Sequence, residues 1–498
     1  MNTAHDLVDW IRGVAPAAQD LHLDSREVMP GDVFLAVPGR RHDGREHIAA
    51  AVERGAAAVL AEGETGSLQV LVGAPVLEVR GLREALGALA AQWYGAPSAG
   101  LLSIGVTGTN GKTSCSQWIA QALTHAGRRC AVIGTVGSGF PGEALDAAAL
   151  TTPDAVSLQR AVRHLAERGA QALAMEVSSI GLEQGRVDGM HFDIALFTNL
   201  TRDHLDYHGS MAAYEAAKRR LFDWPGLDHA VVNLDDEAGA RIASRVLERG
   251  VPLTTTSLAG RSLAGASALR ATDLHATEAG LSFTVTLGEQ RQRVAVPLVG
   301  SFNAANLLGV IGVLLAAQMD LGDALAALPQ LVPPPGRMQV VTRPGAPLAV
   351  VDYAHTPDAL VQALAALQPL RAARGGRLWA VFGAGGDRDP GKRAPMGAAA
   401  VQGADRVLIT SDNPRTEDPA QIASQVAQGA AGARVVLDRA AAITEALMAA
   451  APEDVVLIAG KGHEDYQDVG GRKLPFSDVE HAELALAARA AAHEGAPC

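Results

Sequence analysis

Lysine is scarce in this 498-residue chain: of 42 basic residues only five are lysine, at positions 112, 218, 392, 461 and 473. A surface that needs only positive charge accepts arginine as well, so the surviving lysines mark candidate positions for work a guanidinium cannot do. Cysteine is scarcer still. Cys115, Cys130 and Cys498 show neither paired nor metal-ligand spacing, which argues against a disulfide scaffold and fits a reducing compartment. No segment approaches about 18 uninterrupted apolar residues, and the opening MNTAHDLVDWIRGV lacks a basic stretch followed by an apolar one. A cytoplasmic protein is expected. The net charge of −12 argues against nucleic acid or an anionic membrane as the main partner, while local basic pockets for phosphate remain open.

A chain of this length exceeds what one core can serve and suggests about three domains. Alanine-rich helical stretches alternate with short apolar runs such as LLSIGVTG, CAVIGTV, IALFTNL, LAVVDYA, LWAVFGAGG and DVVLIAG. That alternation predicts an α/β fold with largely parallel sheets. Two stretches read as joints, YGAPSAG (94–100) and VPPPGR (332–337), and place domains at 1–97, 98–335 and 336–498. Between about 268 and 297, alternating polar and apolar residues predict a β-rich insert in the middle domain.

SIGVTGTNGKTS (103–114) follows an apolar strand and opens a helix. Gly108, Thr109, Asn110, Gly111 and Ser114 would wrap backbone around phosphates, Lys112 would neutralise them, and the Thr113 hydroxyl could reach magnesium. The strict P-loop pattern wants glycine at 106, where this chain has valine. Further on, Glu176 and His204 each follow an apolar run, at the strand ends where α/β sheets bind ligands, and together suggest a metal shell. Lys218 lies in YEAAKRRLF, on a helical face with Tyr214, Ala217 and Leu221. Alone it reads as a snorkelling side chain. Beside a cation-rich site its amine could lose a proton and add carbon dioxide, giving a carbamate that arginine could not form. Four C-terminal loops carry Asp352 and His355, then Arg388, then Asp412, Asn413 and Arg415, then Gly460 and Glu464. Paired guanidinium and carboxylate groups at one sheet edge suit a zwitterion.

The ordered set GTNGKT, MEVSS, TNLTRDHLDYHG, YEAAKRRLF, GSFNAANLL, DYAHTPDAL, GGDRD, SDNPR and AGKGHEDYQ resembles the Mur ligases of peptidoglycan synthesis across essentially the whole chain. The likeness is greatest to the tripeptide-forming member that adds meso-diaminopimelate to UDP-N-acetylmuramoyl-L-alanyl-D-glutamate. It implies a UDP-sugar domain, a central P-loop ATPase and a C-terminal Rossmann-like domain for the incoming amino acid. ATP and Mg2+ would be needed, the substrates are small molecules, and a monomer is expected. Residue by residue, it implies UDP-sugar contacts at Leu23, Ser25, Arg40, Arg41, His42, Thr151, Thr152, Ser178, Gln184 and Arg186. Thr113, Glu176, His204 and carbamylated Lys218 would form the magnesium-associated set. Asn303, Asn306, Arg337 and His355 would lie on the nucleotide side. Arg388, Asp412, Asn413, Pro414, Arg415, Gly460 and Glu464 would hold diaminopimelate.

The chain departs from many relatives at Ile180, where they have His, and from some at Leu150, where they have Asn. Rival readings are the same ligation with L-lysine, a folylpolyglutamate-type ligase, and a P-loop regulatory or motor NTPase. DNPR and GKGHEDYQ have no role in the last.

Overall fold

The computed structural model describes residues 3–39, 42–64, 68–71, 73–147, 150–277 and 280–494. Contacts group the chain into two units. One comprises Met1–Thr107, Leu123–Leu196 and Ala216–Ala230, the other Gly108–Ala122, Phe197–Glu215 and Val231–Cys498.

The first unit begins with helix Ala4–Val14, closed at its start by a reciprocal cap between Thr3 and Asp6. Its apolar stripe, Leu7, Val8 and Ile11, is buried together with Leu21, Val33, Leu35, Leu60 and Leu77. Strands Leu21–His22 (β1), Val33–Ala36 (β2), Ala58–Glu62 (β3), Leu68–Leu71 (β4) and Ala74–Val79 (β5) pair in the order β1-β2-β3-β5-β4. Only β4 runs antiparallel to its neighbour. Strands Leu102–Thr107 (β6), Cys130–Gly134 (β7), Gly137–Gly139 (β8), Ala172–Glu176 (β9) and Ile194–Phe197 (β10) follow in the order β10-β6-β9-β7-β8. β6 and β7 lie parallel to β9, so their carboxyl ends emerge at one edge.

In the second unit, His229–Asn233 (β11), Leu253–Ser257 (β12), Ser267–Thr277 (β13), Gly280–Leu287 (β14) and Gln290–Val296 (β15) run in the order β15-β14-β13-β12-β11. β13, β14 and β15 form an antiparallel meander where the alternating pattern predicted a β-rich insert.

Gln339–Val341 (β16), Leu348–Asp352 (β17), Leu378–Phe382 (β18), Arg406–Ile409 (β19), Arg434–Val435 (β20) and Val455–Ala459 (β21) form a sheet ordered β16-β17-β21-β18-β19-β20, parallel except for β16. Both faces are buried. Val350, Leu378, Ala380, Phe382 and Leu457 belong to one core, and Val351, Val381, Val456 and Ile458 to the other. A parallel strand covered on both sides must be apolar at every position, which is why these segments read as continuous apolar runs. Tyr466–Val469 (β22) and Arg472–Pro475 (β23) make a small hairpin. Among the described residues, no helix is long and apolar enough to cross a membrane.

Candidate active site

The phosphate-loop stretch needs its glycines for measurable reasons. Gly108 has φ +152, and a Cβ there would meet Thr198 Oγ1 at 1.9 Å; Gly111 has φ +85, and a Cβ there would meet Asn306 Oδ1 at 2.4 Å. Val106 lies buried inside β6, so the glycine missing from the strict pattern falls on strand and not on loop. Thr109 N and Asn110 N donate to Asn199 O and Oδ1, at 2.8 and 3.0 Å, and Thr198 Oγ1 donates to Asn110 O at 2.6 Å. Lys112 Nζ arches back over the loop, donating to Gly108 O at 2.9 Å and Thr109 O at 2.8 Å. Thr113 Oγ1 accepts from Arg337 Nη2 at 3.2 Å, and Asn306 Nδ2 donates to Asn303 Oδ1 at 3.0 Å. The structure therefore gathers Thr113, Asn303, Asn306 and Arg337 around this loop.

Arg337 also lies over the Tyr353 ring, 4.6 Å from its centroid, and the His355 ring meets the same tyrosine edge-on, with centroids 4.6 Å apart. Asp352 accepts from Met338 N and Ala354 N, both at 2.8 Å, so it orders backbone at the end of β17. Burial pushes the Asp352 carboxyl above its usual range. His355 precedes the helix Pro357–Arg374, which Thr356 caps. Burial and the Lys392 charge hold its imidazole below the ordinary value. Lys392 Nζ donates to His355 O at 3.0 Å, and burial depresses its own pKa. Burial opposes ionisation of Asp203, but the charges of His204, His355 and Lys112 outweigh it and hold that carboxyl low. His204 takes a left-handed backbone, φ +53, and its Nε2 lies 3.5 Å from Asp203 Oδ2.

In the first unit, Glu176 ends β9 at 1% exposure. Its carboxylate accepts from Thr135 N at 2.8 Å and Thr135 Oγ1 at 3.1 Å, and Thr135 Oγ1 also meets Thr151 Oγ1 at 3.0 Å. Thr152 Oγ1 lies 2.9 Å from Glu176 O and 3.0 Å from Ser178 Oγ, and accepts from Ser178 N at 3.0 Å. Arg186 donates to Gln184 Oε1 and Thr152 O. Thr151, Thr152, Ser178, Gln184 and Arg186 are thus one cluster. Leu23 and Ser25 lie just after β1, with Ser25 buried. His42 is exposed, and Arg40 and Arg41 fall outside the described residues. Lys218 is 1% exposed, beside buried Tyr214, Ala217 and Leu221. A snorkelling lysine keeps its ammonium in water, so that reading fails.

At the carboxyl ends of the six-stranded sheet, Asn413 Nδ2 donates to Glu464 Oε2 at 2.8 Å, and Gly460, φ +121, leaves room for Asp412, whose Oδ2 would lie 2.4 Å from a Cβ at 460. Arg415 has φ +52 and donates through Nη1 to Gly386 O at 2.6 Å. A Cβ at Gly385 would meet both Arg415 Nη1 and Arg388 Cγ, so the two guanidinium arms approach the same glycine. Arg388 is exposed, and Pro414 is buried between Asn413 and Arg415.

A protein of Ralstonia nicotianae named UDP-N-acetylmuramoyl-L-alanyl-D-glutamate--2,6-diaminopimelate ligase is 54% identical over 494 residues, covering 97% of this chain and 96% of that protein. The chain belongs to the Mur ligase family. Three family models match it: the Mur ligase family catalytic domain at 19–94, the Mur ligase middle domain at 106–314, and the Mur ligase glutamate ligase domain at 336–462. A Pseudomonas aeruginosa protein of the same name is 52% identical over 473 residues, 94% of this chain and 95% of its own. A solved structure of a ligase so named has a TM-score of 0.67 at 38% identity and covers 96% of this chain and 99% of its own. A Mycobacterium tuberculosis folylpolyglutamate synthase, at 18% identity and a TM-score of 0.60 over 76% of this chain and 92% of its own, shares the fold. This Mur ligase has the three-domain α/β architecture of its family.

Sequence reasoning missed several residues of this Mur ligase that the structure makes prominent. Thr135 holds the Glu176 carboxylate, yet a threonine after a strand carries no signal of its own. Asp203 precedes the singled-out His204. Lys392 and Lys461 are not missed, but lysine scarcity marks them without indicating a role. Among the described residues no three His, Cys, Asp or Glu side chains converge as a metal cluster. Of the expected magnesium set, Glu176 offers a carboxylate and Thr113 a hydroxyl, the hard oxygen donors that such a cation prefers, and His204 an imidazole nitrogen.

Proposed function

We propose that this Mur ligase joins meso-diaminopimelate to UDP-N-acetylmuramoyl-L-alanyl-D-glutamate at the expense of ATP, a step in making peptidoglycan precursors. One observation carries the reading: proteins named for this ligation match 97% and 94% of the chain at 54% and 52% identity.

A carboxylate is a poor electrophile until one oxygen becomes a good leaving group. Transfer of the γ-phosphoryl group to the free glutamyl carboxylate gives an acyl phosphate and ADP. The amine of the incoming amino acid then attacks the acyl carbon, the C–O bond breaks, phosphate leaves with that electron pair, and the amine loses its proton. Both partners of the first step are anionic. Lys112 and the backbone amides of 108–114 would offset that repulsion and cradle the phosphates. Magnesium, held by Thr113, Glu176, His204 and carbamylated Lys218, would add positive charge there when bound. The carbamate forms from the neutral Lys218 amine and carbon dioxide with release of one proton, and the burial of Lys218 supports a site poor in water.

Asn303, Asn306, Arg337 and His355 would face the nucleotide. Leu23, Ser25, Arg40, Arg41, His42, Thr151, Thr152, Ser178, Gln184 and Arg186 would hold the UDP-sugar dipeptide. Arg388, Asp412, Asn413, Pro414, Arg415, Gly460 and Glu464 would hold diaminopimelate. Domain borders near 97 and 335 are supported by family matches that fall on either side of them. The reading includes action in the cytoplasm as a monomer.

ADP release measured with the UDP-sugar dipeptide and a panel of amines tests the proposal. Turnover should require both substrates and prefer meso-diaminopimelate. Preference for L-lysine, or release of ADP with no amine at all, would overturn it.

A further inference from the structure

Lys461 is one of only five lysines in the chain and is fully buried, at 0% exposure. Its ammonium lies 3.0 Å from Asn413 Oδ1 and 3.0 Å from Glu464 Oε2. Asn413 Nδ2 closes the triangle on the same Glu464 oxygen at 2.8 Å, and Asp468 N donates to Asn413 Oδ1 at 2.9 Å. Every bond fixes an orientation. The amide of Asn413 cannot flip, because its one donor target, Glu464 Oε2, and both partners of its acceptor, Lys461 Nζ and Asp468 N, would be mismatched. Glu464 receives two hydrogen bonds on Oε2, one of them from the Lys461 ammonium, and among the described residues none reaches its other oxygen, which remains available to a ligand. The Tyr466 ring closes over the ammonium at 5.5 Å. A guanidinium is planar and bulkier than an ammonium, whereas Lys461 places one compact charge between an amide and a carboxylate.

We propose that Lys461 is a positioning residue for the amino-acid acceptor: it acts through Asn413 and Glu464, fixing the carboxylate that receives the ligand's ammonium group, and does not itself touch the nucleotide. This rests on the assignment of Asn413 and Glu464 to the diaminopimelate pocket.

The test compares Lys461→Met, Glu464→Gln and the double variant, full length, in the ADP-release assay. Losing one partner of a buried, hydrogen-bonded charge pair should raise the Michaelis constant for diaminopimelate in Lys461→Met by about thirty-fold or more. The constant for ATP and the turnover number at saturating diaminopimelate should stay within about two-fold of wild type, an allowance matching the usual scatter of distant, uncoupled changes. The double variant should lose little beyond the worse single variant, because both act on one contact. Equal losses toward ATP and diaminopimelate, or additive losses in the double variant, would overturn the proposal. If Lys461→Met does not fold, Lys461→Gln, which can still donate to Asn413, takes its place with an intermediate effect expected. Failure of both to fold would assign Lys461 to the fold and likewise overturn it. Wild-type dependence on diaminopimelate, measured in the same plates, separates failure of this proposal from failure of the acceptor assignment itself.

Discussion

The side-chain amide of Asn306 occupies the place a methyl group at position 111 would need, with Oδ1 only 2.4 Å from an ideal Cβ there. Gly111 is also held at φ +85, where an L side chain is strained. Gly111→Ala must therefore displace either the loop or Asn306. A cost of about 1–3 kcal/mol for such backbone strain implies a fall of roughly five- to 150-fold in kcat/KM for ATP. Circular dichroism should show an intact fold. Wild-type ATP kinetics in this variant would mean that the loop does not cradle the nucleotide.

Lys112→Ala should abolish phosphate release while UDP-sugar binding, followed by calorimetry, persists. The ammonium sits over the loop against two carbonyls, Gly108 O and Thr109 O, so its removal leaves the mouth of the loop without its fixed cation. Lys112→Arg should fail as well, since a planar fork does not fit a slot shaped for a slim ammonium. Phosphate release near the wild-type rate in Lys112→Ala would remove the basis for assigning phosphate binding to this loop.

Lys218 carries the third prediction. Intact-protein mass or high-resolution density should show added carbon dioxide. Lys218→Ala should be nearly inactive and partly restored by short carboxylates, which replace the missing anion. Lys218→Arg keeps the charge and loses the carbamate, so it too should be inactive. Full activity in Lys218→Arg would show that charge alone suffices there.

How far these assignments could be read beforehand depended on what each residue announces. Parallel strands buried on both faces, such as Val455–Ala459, declare themselves as apolar runs, and the meander over Ser267–Thr277 and its two successors declares itself by alternation. Glycines at 108 and 111 stood out because only glycine tolerates those conformations, but the neighbours that forbid a Cβ, Thr198 and Asn306, come from distant segments and are set by packing. Lys218 gave a composition signal and an apolar helical face; only its burial separated a snorkelling lysine from an enclosed one. Thr135 and Asp203 gave no such signal. Their roles arise from pairing across strands and from nearby charges, which no local pattern records. Lys461 was visible as a rare residue, yet the triangle it completes with Asn413 and Glu464 joins loops 48 residues apart.

The final prediction concerns Arg415 and the choice between two amines. Lysine and meso-diaminopimelate differ by one carboxylate at the far end of the side chain, so selection requires a fixed cation at that end. Arg415 is anchored by Nη1 on Gly386 O, by its backbone N–H on Asp468 O and by its carbonyl on Gly470 N, which holds the guanidinium on a rigid base. Its remaining N–H groups have no partner among the described residues and can meet a carboxylate as a fork. Loss of one partner from a desolvated charge pair costs roughly 2–5 kcal/mol, or about thirty-fold to several thousand-fold in affinity. Arg415→Ala should raise the Michaelis constant for diaminopimelate by at least the lower figure and hardly change that for ATP. Lysine has no distal carboxylate to lose, so its low rate should be unchanged and the preference ratio should narrow. Retention of normal diaminopimelate kinetics in Arg415→Ala would move the distal-carboxylate contact elsewhere, with the exposed Arg388 beside Gly385 the next side chain to replace.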